Sequence, residues 1–148
     1  MRSILNMRVI AFASFIALTT TPAALAHGNC SWSNLQGTFG FTLTGTRATG
    51  TNPGQRAAVG QLTADGNGNL AGSETQSNNG IIVQGVTETG TYVVNEDCSG
   101  TATLTLKGNG VDTTTRHFTF QILNNSQELI AIVTDQGFTE TIDFKQSS

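Results

Sequence analysis

Charged side chains are scarce in this chain. They make up 11% of the 148 residues, against roughly 25% in ordinary domains, and the basic ones never cluster. Phosphate backbones are held by grouped Lys and Arg, so nucleic acid is excluded as a partner. Long apolar runs are missing too. The run "VIAFASFIAL" at 9–18 has ten residues, half the roughly 20 that a membrane-spanning helix needs. Histidine occurs twice, too few for most acid–base triads, and there is no GxSxG nucleophile motif. Cysteine also occurs twice, as Cys30 and Cys98, without the CxxC spacing of a redox or metal site. No cofactor is implied. No stretch after residue 26 reads as a helix, and no fixed period supports a solenoid.

What is present begins with a leader. Arg2 and Arg8 precede the ten-residue apolar run, and Ala24-Leu25-Ala26 is a small-x-small site. This is the pattern of a secretory signal peptide over residues 1–26, cut after Ala26. Asn29 stands before Cys30 where a lipid-anchor signal needs a small residue. The expected product is a secreted or periplasmic single domain over 27–148, without a membrane span. It keeps five basic residues against ten acidic ones, a formal charge of −5. In an oxidising compartment Cys30 and Cys98 are expected to pair.

The rest reads as short alternating runs separated by Gly and Asn. "GTFGFTLTG" (37–45) puts Phe39, Phe41 and Leu43 on one face and threonines on the other, which is strand periodicity. Further runs lie at 56–64, 70–77, 81–88, 89–95, 100–108, 113–123, 128–135 and 138–144. Eight or nine strands with short loops imply an antiparallel meander. Closing it into a barrel removes the exposed edges. A β-sandwich is the competing arrangement, but no long crossover connection is visible. "LIAIV" (129–133) and "YVV" (92–94) are apolar on both faces. They predict burial on both sides, with the outer wall covered by the segment around Trp32 or by another copy of the chain.

Five side chains are candidates for ligand binding: Arg56, Glu74, Glu88, Tyr92 and Arg116. All fall in predicted strands. Alternation places Glu88 with Ile82 and Val86, and Arg116 with Phe118 and Phe120. Facing inward, such groups would have shifted pKa values and could orient a ligand. Taken singly, each is more simply placed at a barrel rim, in water. Two metal readings are set aside. "DGNGN" (65–69) resembles a calcium loop, but Leu70 and Gln76 stand where that loop needs Gly and Glu, so a turn is expected. His27, freed by cleavage, could chelate copper together with His117. The expected disulfide would hold the terminus at a barrel end, away from a mid-strand His117, so no metal is expected.

"LQGTFGFTLTG", "VGQLTADGNGNLAGSET" and "TGTYVVNEDCSGTATLT", taken together, resemble a group of small exported bacterial β-barrel proteins. That group is similar to lipocalins and to allene-oxide-cyclase-like barrels. The resemblance implies an eight-stranded closed cup for an apolar small molecule and carries no catalytic motif. The primary functional expectation is binding of an apolar or amphipathic small molecule in the lumen, with Gly, Ala and Thr walls leaving room. The alternative is a cofactor-independent cyclase or isomerase that confines a flexible apolar substrate. A buried Glu–Tyr or Glu–Arg constellation would favour it. The third reading is a self-associating surface or structural protein, a homo-oligomer built on weakly charged strands.

Overall fold

The computed structural model describes residues 29–50, 52–108 and 111–147. Residues 1–26, where a signal peptide is expected, and His27 lie outside these. Eight strands follow one another: β1 (Gln36–Arg47), β2 (Gly54–Asp65), β3 (Asn69–Asn78), β4 (Ile81–Val94), β5 (Ser99–Gly108), β6 (Val111–Leu123), β7 (Glu128–Val133) and β8 (Phe138–Gln146). Each pairs antiparallel with its neighbour, and β8 returns to β1, closing the barrel. The runs 81–88 and 89–95 are one strand, so the count is eight. Thr89 and Gly90 carry no turn; they pair straight across to β5.

The alternation that defines the strands also sorts the lumen from the outside. Phe39, Phe41, Leu62, Leu104, Phe118, Phe120 and their neighbours form one buried cluster. The threonines point the other way: Thr42, Thr44, Thr63, Thr87, Thr119 and Thr141 are exposed. The expected roomy Thr-lined wall is therefore corrected: the threonines cover the outside, and large apolar groups fill the inside. Glycine admits them. Phe41 faces Gly60 across the β1–β2 pairing, and Phe120 faces Gly100 across β5–β6. A Cβ at Gly60 would sit 2.7 Å from the Phe41 ring, and one at Gly100 2.2 Å from Phe120. Large and small residues thus interdigitate as close packing requires.

One bulge changes the reading of β4. Glu74 pairs with Val86 but Gln76 pairs with Val83, so β4 carries one extra residue. Gly85 supplies it with φ +66°, a left-handed conformation open to glycine. Val83 consequently turns toward the core, while Ile81 and Ile82 stay outside. Ile82 does not share a face with Val86 and Glu88, because alternation slips by one at the bulge.

One barrel end is closed by residues 30–35. Cys30 and Cys98 form a disulfide across 68 residues, with Cα atoms 5.0 Å apart. A 3-10 turn, Trp32–Asn34, follows, and Leu35 enters the lumen. The Tyr92 hydroxyl donates to the Leu35 carbonyl at 2.7 Å and lies 3.2 Å from that of Trp32. This segment closes an end and does not cover the outer wall. Trp32 is 49% exposed, and the outward Ile130 and Ile132 are 48% and 47% exposed. Among the described residues no helix is long and apolar enough to cross a membrane.

Candidate functional site

The lumen has two chemically distinct halves. Toward the disulfide end it is apolar. Leu35, Tyr92, Leu104, Phe118 and Phe144 are among the walls of a cavity of about 40 Å³. A cavity of about 150 Å³ holds benzene, so a ligand of that size fits only if lining side chains move.

The other half holds a charged cluster. Arg56 on β2 reaches across Gly45 of β1 toward Glu140 of β8, the three residues being aligned in register. A Cβ at Gly45 would lie 2.1 Å from the Thr139 carbonyl oxygen, so only glycine allows strand β8 this close. Arg56 Nη1 donates to Glu140 Oε2 at 3.0 Å. Its Nη2 donates to Glu74 Oε1 at 2.9 Å and to Gln76 Oε1 at 2.6 Å. Arg116 Nη1 donates to the same Glu140 oxygen at 3.3 Å, and the Arg116 guanidinium carbon lies 5.3 Å from the centre of the Phe138 ring. Arg47 stands 6.0 Å from that ring.

Desolvating such charges costs several kcal/mol per ion, and pairing only partly offsets it. The offset here is incomplete. Glu74 Oε2, Glu88 Oε2, Glu140 Oε1 and the Nε atoms of Arg56 and Arg116 are buried without a hydrogen-bond partner in the protein. Glu88 stands apart from the pairs: two arginines are matched by Glu74 and Glu140. Burial, and then the nearby Glu74 carboxylate, push Glu88 up to about 8, with Arg56 opposing. It therefore holds its proton at neutral pH. Burial also raises Glu74 and Glu140, and the Arg56 charge works against it in both.

A second cavity, about 10 Å³, lies among Glu74, Glu88 and Arg116, room for about one water. Leu62, Leu104, Phe118 and Phe144 line it and also line the larger apolar cavity. The two spaces are neighbours separated by these side chains.

Four of the five candidates, Arg56, Glu74, Glu88 and Arg116, come together in this half. The rim placement is corrected for all of them: each is buried, because each shares the inward period with Phe and Leu. Tyr92 is buried too, but it works in the end closure at the opposite half. Gln76, Asn78 and Glu140 are buried polar side chains outside the five ligand-binding candidates. The signal was there, since Glu140 alternates with Phe138, Ile142 and Phe144. His117 is on the outer wall, with Nδ1 2.7 Å from Asp135 Oδ1. The copper reading needs His27, which lies outside the described residues. Asp65 is occupied as a turn cap. It accepts from the amides of Asn67 and Asn69 and from the Asn69 side chain, and these bonds, the last foremost, lower its pKa. Among the described residues no group of three or more His, Cys, Asp or Glu is placed to hold a metal ion.

No family model, curated protein or solved structure was found to match the chain.

Proposed function

We propose that this is an exported barrel, similar to lipocalins and allene-oxide-cyclase-like proteins, that binds a small amphipathic molecule in its lumen. One observation carries the reading: Glu74, Glu88 and Arg116, buried charged residues that each keep an atom without a partner, line a small space directly beside an apolar cavity. Buried polar groups are ordinarily satisfied, and a fully apolar lumen would be more stable than an incompletely paired cluster. Shifted pKa values cluster at functional sites, where burial and neighbouring charges tune groups for their task. The leader and the disulfide support export. The test is a methyl-resolved NMR titration of the disulfide-bonded protein with hexanol. Saturable shifts at Leu62 and Leu104, with Ile130 and Ile132 unmoved, are expected. Shifts confined to the outer isoleucines, or none, overturn the reading.

A second reading, a cyclase or isomerase, is favoured by the buried Glu88–Arg116 constellation. A carboxylic acid kept neutral at pH 7 by apolar surroundings can donate a proton to a confined substrate. Conversion of a bound molecule, followed by NMR and lost in Glu88→Gln, distinguishes catalysis from simple binding. A bound molecule recovered unchanged after prolonged incubation rejects it.

A further inference from the structure

The small cavity offers more than a polar lining; its donors and acceptors are unequal. Once Glu88 is ionised, Glu74 and Glu88 each carry a buried carboxylate oxygen without a partner, against the one donor without a partner, Arg116 Nε; all three residues line this space. Glu88 is 4% exposed and Glu74 3%, so bulk water does not satisfy them. We propose that the polar end of the ligand is a primary amine, held as an ammonium between Glu88 and Glu74, with its alkyl or aryl body among Leu62, Leu104, Phe118 and Phe144. This inference rests on the lumenal binding reading and names its ligand class.

Three alternatives differ in what they bring. An ammonium has three donors and no acceptor, which suits two open carboxylate oxygens. A hydroxyl brings one donor, so one of those oxygens stays unmatched even when its own oxygen accepts from Arg116 Nε. A carboxylate brings only acceptors and adds a negative charge beside Glu74, which a desolvated site penalises heavily. Charge balance agrees. Arg56 and Arg116 are paired with Glu74 and Glu140, so a cation is what an ionised Glu88 lacks. The remaining charge facing this space is that of Arg116, which is turned toward Glu140 and the Phe138 ring.

A proton accompanies the binding. The charged groups facing Glu88 are Glu74 of β3 and Arg116 of β6, which line the same space, and Arg56 of β2; Glu140 of β8 stands behind the two arginines it pairs with. β1 and β5 add apolar walls, including Phe41, Leu43, Leu104 and Leu106. Below pH 8 Glu88 is protonated, while an alkylamine stays an ammonium to about pH 10. Binding therefore forms the carboxylate–ammonium pair and releases the Glu88 proton to solvent. Affinity should rise about tenfold per pH unit up to about pH 8 and then level off.

Calorimetric titration of the disulfide-bonded protein with hexylamine, hexanol and hexanoate tests this, in two buffers of different ionisation enthalpy. The expected result is hexylamine binding tightest, with close to one proton released at pH 6–7 and none at pH 9. Glu88→Gln should abolish the pH dependence and weaken hexylamine at least tenfold. If that variant does not fold, proton release by the wild-type protein decides alone. Hexanol or hexanoate binding as tightly as hexylamine, or no proton released at pH 6–7, overturns the amine assignment and leaves lumenal binding standing. Failure of all three molecules to bind overturns both.

Discussion

Glu88 should make the barrel less stable as pH rises, and replacing it with Gln should remove that loss. The unfolded chain ionises Glu88 near 4.5, whereas the folded barrel holds its proton up to about 8. Between these values the folded state binds more protons than the unfolded state, so unfolding free energy falls with pH. At about 1.4 kcal/mol per pH unit, the loss across that window is on the order of 3–5 kcal/mol. That is a large share of the roughly 5–15 kcal/mol typical of a folded domain. Gln has the shape of the protonated acid and does not titrate. Glu88→Gln and wild type should therefore be about equally stable at pH 5, and the variant should be more stable by several kcal/mol at pH 8–9. Glu74 and Glu140 are present in both proteins, so their own titration largely cancels in the difference. Urea unfolding from pH 4.5 to 9 at constant ionic strength and intact disulfide provides the measurement. Parallel pH profiles for the two proteins, or a variant less stable at pH 9, would refute the claim that Glu88 is protonated because it is buried without a cation.

Other outcomes test the rest of the structure. Arg56→Leu leaves Glu74 and Glu140 buried without their main cation and should cost about 3–5 kcal/mol at pH 7, a smaller loss at pH 4.5 marking the charge as the cause. Tyr92→Phe removes the hydroxyl bonded to the Leu35 carbonyl, so the melting temperature should fall by the equivalent of about 1–3 kcal/mol, with faster hydrogen exchange confined to residues 30–35. Replacing both Cys30 and Cys98 by Ser should lower stability by about 4 kcal/mol, from a 68-residue separation in the loop-entropy picture; an unchanged urea midpoint would show that the end closure constrains little. Gly100→Ala puts a methyl against Phe120 and the Val93 carbonyl and should cost about 1–3 kcal/mol by overpacking, read from the same unfolding curves.

The sequence by itself determined the strands and their pairing. Phe39, Phe41 and Leu43 alternate with threonines, and Gly- and Asn-rich stretches such as "DGNGN" mark the turns. Short loops force neighbours in sequence to be neighbours in the sheet. The pairing of two cysteines was legible for a similar reason: two thiols have one intramolecular solution. The site was legible only as separate residues. Arg56, Glu74, Glu88 and Arg116 each sit on an apolar period, but charge argued for placing each alone at a rim. Closure of the barrel reversed that argument, because β8 beside β1 brings Glu140 across Gly45 to Arg56, 84 residues away in sequence. A charge is too costly to bury singly and becomes tolerable when partners arrive from other strands. The bulge at Gly85 likewise escaped period-2 reading, since one inserted residue moves Ile82 to the other face of β4. Whether the lumen is open was decided by packing alone: side-chain volumes fill it only once Phe41 lies over Gly60 and Phe120 over Gly100, contacts between strands that no local pattern contains.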